Sequence, residues 1–106
     1  MWEVDGENIR MVEGDFGFYL PFTFDDINIT AEDIVTLVIK KDKDSEPLLI
    51  KSFTDIVDNT VNLILTKEDS EKLVVDNYLY TLDWCNSDAF LGTLINGALF
   101  KVIEKK

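Results

Sequence analysis

The chain contains no histidine. Without one, neither a Ser-His-Asp nor a Cys-His pair can activate a nucleophile, and the commonest transition-metal ligand is missing. Cysteine occurs once, at Cys85, so an intrachain disulfide is excluded and stability must come from burial. Cys85 lies in a strand-like run with no base to ionise it, and it reads as a small apolar residue. The five glycines are scattered, and none opens the glycine-rich loop that cradles phosphate. Positive charge is scarce: ten Lys and Arg face 21 Asp and Glu, a net charge of -11 over 106 residues. Such a surface repels phosphate backbones, and Lys40, Lys41 and Lys43 are interleaved with Asp42 and Asp44, so no nucleic-acid partner is expected. No apolar run approaches the roughly 20 residues that span a bilayer, and the opening MWEVDGENIR has neither a basic leader nor an apolar segment. The expectation is a soluble protein with no membrane partner and no signal peptide, suited to a cell interior or a virion.

What is present is a core. An apolar content of 46% with 11% aromatics is that of a packed globule, and the length fits one domain over residues 1–106. The dominant pattern repeats every two residues, as in a strand with one buried face. Phe16, Phe18, Leu20, Phe22 and Phe24 alternate with Gly17, Tyr19, Pro21 and Thr23. Val35, Leu37 and Ile39 form a second such series, Val61, Leu63 and Leu65 a third, and Tyr78, Tyr80, Leu82 and Trp84 a fourth, while Phe100 and Val102 close the chain. Shorter runs at 8–12, 48–53 and 91–95 bring the count to seven or eight strands, nearly all antiparallel. Asp5-Gly6, Gly14-Asp15, Asp58-Asn59 and Asn96-Gly97 supply turn residues that tolerate positive φ. Asn96-Gly97 equally fits a bulge inside one long terminal strand. Pro21 cannot donate to a ladder, so its strand either has a free edge there or bends, and a local kink is expected. The pattern predicts an all-β fold, an antiparallel β-sandwich or small barrel of about seven strands with one short helix.

That helix is LTKEDSEKL, residues 65–73. Thr66 suits a helix N-cap, and Asp69 three residues on completes an approximate capping box. Glu68 and Asp69 then fall in the first turn, where the helix dipole favours negative charge. Lys67 with Glu71 and Glu68 with Lys72 have ion-pair spacing. Leu73 returns to the core, so the segment bridges one sheet to the other. A catalytic role for Glu68, Asp69 or Glu71 needs a pKa moved towards neutrality, which a polar helix with flanking lysines does not offer. Asp42, Asp44 and Glu46 are spaced like the first ligands of a calcium loop, but Pro47 stands where that loop needs Gly and Phe53 where it needs Glu. A solvated hairpin is the expectation there. Asp25-Asp26 with Asp55 and Asp58 make a weak calcium site only if their loops converge. No catalytic residue, cofactor or metal ligand is assigned.

Surface aromatics are the mark of a sugar platform, yet Tyr78, Tyr80 and Trp84 share a face with Leu82 and read as core. Trp2, at a terminus, and Tyr19, opposite the Phe16 to Phe24 series, fit an exposed position better. Val38, Ile64 and Leu79 fall on faces that should point outward, where apolar residues mark contact with another chain. Trp2, Tyr19, Val38, Ile64 and Leu79 are therefore the candidate interface residues.

Glu13-Gly-Asp-Phe16 opens an apolar-alternating strand, Val38-Ile-Lys-Lys41 follows, then the LTKEDSEKL helix, then Asn77-Tyr-Leu-Tyr-Thr-Leu-Asp83, and Leu94-Ile-Asn-Gly-Ala-Leu-Phe-Lys-Val102 closes the series. In this order the elements resemble the immunoglobulin-like domain of phage tail and baseplate proteins, the type found at the N-terminus of baseplate upper proteins and in related prophage reading frames. The likeness spans most of the chain. It departs at Val75-Asp-Asn77, where that family usually places a proline or glycine, and the paired cysteines of antibody-type domains are absent. The resemblance implies an immunoglobulin-like sandwich acting as a non-enzymatic virion structural module. It would be oligomeric or bound to other tail or baseplate proteins, in the virion tail or in the host cytoplasm during assembly. The alternative reading is a small ligand-binding module for carbohydrate or calcium.

Overall fold

The computed structural model describes residues 3–17, 19–25 and 27–106. Among the described residues, nine strands and one short helix follow one another as β1 (Glu3–Asp5), β2 (Asn8–Val12), β3 (Leu20–Thr23), β4 (Ile34–Lys40), β5 (Pro47–Phe53), β6 (Ile56–Val57), β7 (Thr60–Leu63), α1 (Lys67–Glu71), β8 (Asp76–Cys85) and β9 (Phe90–Ile103). They form a six-stranded sheet in the order β1-β2-β9-β8-β4-β5 and a three-stranded sheet in the order β3-β7-β6. The fold is all-β and sandwich-like. One pairing departs from the antiparallel expectation: β2 runs parallel to β9, with Ile9 opposite Phe100 and Met11 opposite Val102. Parallel neighbours need a long crossover, and here nearly the whole chain lies between the two strands.

The two-residue alternation sets which side of each strand is buried. Val35, Leu37 and Ile39 on β4 and Tyr78, Tyr80 and Leu82 on β8 are buried, and the inner residues of β3 and β7, Leu20, Phe22, Val61 and Leu63, complete one contiguous core with them. Tyr80 meets Phe100 edge-on, with ring centroids 6.2 Å apart, the offset geometry that aromatic quadrupoles favour. Its buried hydroxyl donates to the Glu7 carbonyl and so ties the β1–β2 turn to β8.

The long alternation from Phe16 to Phe24 is only partly a strand. Gly17 has φ +80°, a left-handed conformation that breaks an extended run, and its N–H donates to the Leu65 carbonyl at 3.0 Å. Phe16 is consequently exposed, while Leu20 and Phe22 beyond the break are buried; Phe18 lies outside the described residues. Pro21 sits opposite Asn62 on β3, which is an edge strand. The free edge accommodates its missing N–H. At the other end of the chain the runs at 91–95 and 98–103 are one strand. Gly97, at φ +71°, is the extra residue of a bulge between the pairs Thr81–Asn96 and Tyr80–Ala98.

The acidic run is a capped helix. The Thr66 hydroxyl accepts the Asp69 N–H at 3.2 Å, and the Asp69 carboxylate accepts the Thr66 N–H at 2.9 Å. Leu73 is buried, and α1 carries the chain from the small sheet to the large one. The ion pairs Lys67–Glu71 and Glu68–Lys72 do not form among the described residues. The described ion pair of the helix runs instead from Asp69 to Lys51 on β5, 2.5 Å away. A five-residue helix leaves little surface for pairs one turn apart, and a lysine from a rigid strand is better placed.

Candidate interaction surface

Because β4 buries Val35, Leu37 and Ile39, its intervening residues Thr36, Val38 and Lys40 face the other side of the six-stranded sheet. Cross-strand register extends that outer face. Val38 lies opposite Ile50 on β5 and Thr81 on β8, and Leu79 lies opposite Lys40 on β4 and Leu99 on β9. Ile50, Val38, Leu79 and Leu99 therefore form a diagonal apolar stripe over four adjacent strands. Ile50 is 62% exposed, and the other three are half-buried by their neighbours on the sheet. The three-stranded sheet packs on the opposite side, against the common core.

Positive charge frames the stripe. A depression of about 160 Å³ between Val38 and Leu79 is bounded by Lys40, Lys43, Thr81 and Gly97. A second, of about 300 Å³, lies on the far side of Leu99 beside Arg10 and Lys101, which are paired across β2 and β9. Strand register places Arg10, Lys40 and Lys101, and the turn between β4 and β5 places Lys43, around an aliphatic centre.

The candidate interface residues do not all meet here. Val38 and Leu79 come together. Ile64, just past β7, is half-buried and packed against the core, because the chain leaves the strand at Leu63. Tyr19 is 64% exposed, in the segment leading into β3. Trp2 lies outside the described residues. Ile50 and Leu99 join Val38 and Leu79 on this face, beyond the residues that the sequence singles out. Alternation with Leu49 and Phe100 is the signal that could have found them, but short apolar runs leave the inward face ambiguous until the pairing is known.

Elsewhere the titratable groups serve structure. Asp33 is buried beside β4, and its carboxylate accepts the Thr30 N–H at 3.0 Å and the Trp84 Nε1–H at 3.0 Å. The Thr30 and Trp84 hydrogen bonds hold it below the ordinary carboxylate range. Burial works to raise Asp69, but the Lys51 ammonium and the Thr66 N–H outweigh it and hold that carboxyl low too. Asp76 is lowered by the Lys41 ammonium, 2.7 Å away, and Asp42 by the Ser45 hydroxyl and Asp44 N–H of its own turn. Burial pushes the Tyr78 and Tyr80 hydroxyls up. Each of these carboxylate shifts runs away from neutrality, the direction opposite to that of a general acid. Among the described residues no three Cys, Asp or Glu converge on a metal-sized site, and no helix is long and apolar enough to cross a membrane. The Asp26 part of the weak calcium set lies outside the described residues.

No protein family, curated protein or solved structure matches the chain.

Proposed function

We propose that the chain is a non-enzymatic structural and interaction module that works through the outer face of its six-stranded sheet. The observation that carries this reading is the stripe Ile50–Val38–Leu79–Leu99. A continuous apolar band on a sheet face that no other layer of the described residues covers costs solvation, and contact with another chain removes that cost. The resemblance to the immunoglobulin-like domain of phage tail and baseplate proteins makes that assembly a phage or prophage tail. The partner is then a copy of the chain or a neighbouring tail protein. The carbohydrate alternative is weaker, since Tyr78 and Tyr80 turn into the core.

Light scattering after size exclusion tests the reading, over a concentration series of the protein alone and mixed with the products of the adjacent genes. Mass growth or co-elution is the expected result. A strict monomer that binds none of them, and whose melting temperature rises with a sugar or calcium, would transfer the assignment to the ligand-binding class.

A further inference from the structure

The two depressions on the outer face are lined by Arg10, Lys40, Lys43 and Lys101, with Asp5 as the one carboxylate among the described side chains. The chain as a whole has ten cations and 21 carboxylates, so this apolar face is also where positive charge is concentrated. Its complement is an aliphatic side chain flanked by carboxylates.

The chain carries such a group on its other layer. In the β6–β7 hairpin Ile56 is buried and Val57 is 62% exposed, with Asp55 and Asp58, both exposed, on either side in sequence. Asp58 and Asn59 hold φ values of 52° and 61°, the pair of left-handed residues that closes a two-residue hairpin. The tip is therefore pre-organised, and little ordering entropy is lost when it docks. Because β6 is the edge strand of the three-stranded sheet, this hairpin and the cationic face lie on opposite layers. One copy cannot bring its own hairpin to its own outer face.

We infer that a second copy of the chain is the occupant: the Val57 hairpin of one copy enters the depression between Val38 and Leu79 of the next, with Asp55 and Asp58 against Lys40 and Lys43. This rests on the reading of the outer face as a contact surface and adds its partner. Since donor and acceptor are different patches, the contact is heterologous. A dimer made this way keeps one unused hairpin and one unused face, and association continues past it into a ring or filament.

The experiment is sedimentation velocity over a concentration series of wild type, of Lys40→Glu/Lys43→Glu and of Asp55→Lys/Val57→Ser, with thermal melts to verify folding. These four positions lie on the surface or in loops. Wild type should grow beyond a dimer, and each variant alone should associate at least roughly tenfold more weakly, as expected when opposed charges at a contact become like charges. The two variants mixed in equal amounts should associate more strongly than either alone, because one supplies an intact hairpin and the other an intact face. Growth of either variant at wild-type strength overturns the contact, as does a mixture that stays monomeric. A wild-type monomer that still captures a neighbouring gene product overturns the second-copy contact and leaves the interaction-module reading standing. A monomer that captures nothing removes both.

Discussion

Asp33 and Thr66 show how single polar side chains hold this fold. Asp33 joins the loop before β4 to Trp84 on β8 by one carboxylate. Replacing it with alanine leaves the half-buried indole N–H and the Thr30 N–H without their acceptor, at a cost of about 1–3 kcal/mol. Its carboxyl lies lower in the folded chain than the ordinary value of 3.8. The unfolded chain therefore binds the proton more readily, so the contribution is complete above that value and is lost as pH falls through the folded pKa. Denaturant melts at pH 7 and near pH 3 should show wild type losing more stability on acidification than Asp33→Asn does. An equal loss in both would place the acid sensitivity elsewhere. Thr66→Ala removes the acceptor for the Asp69 N–H and should lower stability by about 1 kcal/mol, read as a shift in urea midpoint. No shift would contradict the capping role.

Among the elements, β9 carries a bulge that depends on one backbone conformation. Gly97 at φ +71° has open space where a Cβ would be built, so Gly97→Ala meets no clash and its cost is backbone strain alone, about 1–2 kcal/mol. Urea denaturation should show that loss, and an unchanged midpoint would mean that the bulge relaxes freely. Asn96-Gly97 was legible as either a turn or a bulge, since both need positive φ. Only the pairing of β9 with β8 along its length separates them. The capped helix was legible outright because a capping box is local chemistry, and so was the inward face of β4 and β8. Gly17 was visible inside the Phe16 to Phe24 alternation, but apolar periodicity outweighed it. The parallel β2–β9 pair was illegible because pairing between the first and last parts of a chain leaves no local mark. For the same reason the outer stripe was only half legible: Val38 and Leu79 show on their own strands, whereas Ile50 and Leu99 join them only through register.

The whole molecule is governed by a net charge of -11 with a cationic apolar face set into it. If copies meet through the proposed contact, two such molecules repel at long range and attract at that contact. Raising salt from about 0.01 M to about 0.15 M shortens the screening length from about 30 Å to about 8 Å, which suppresses the repulsion before the contact itself. Association measured by light scattering should therefore strengthen over that interval. A steady weakening from the lowest salt would show that local ion pairs outweigh the global charge throughout.

The outer face of the six-stranded sheet is the centre of this assignment, and methyl cross-saturation reads it directly. Labelled, deuterated protein is mixed with unlabelled protonated copies and the protonated partner is irradiated. Signal loss should concentrate on the methyls of Ile50, Val38, Leu79 and Leu99, with Val57 reporting the opposing hairpin. Loss centred instead on the exposed Val74 and Val75, or no loss at any methyl at concentrations where mass growth is seen, would contradict it.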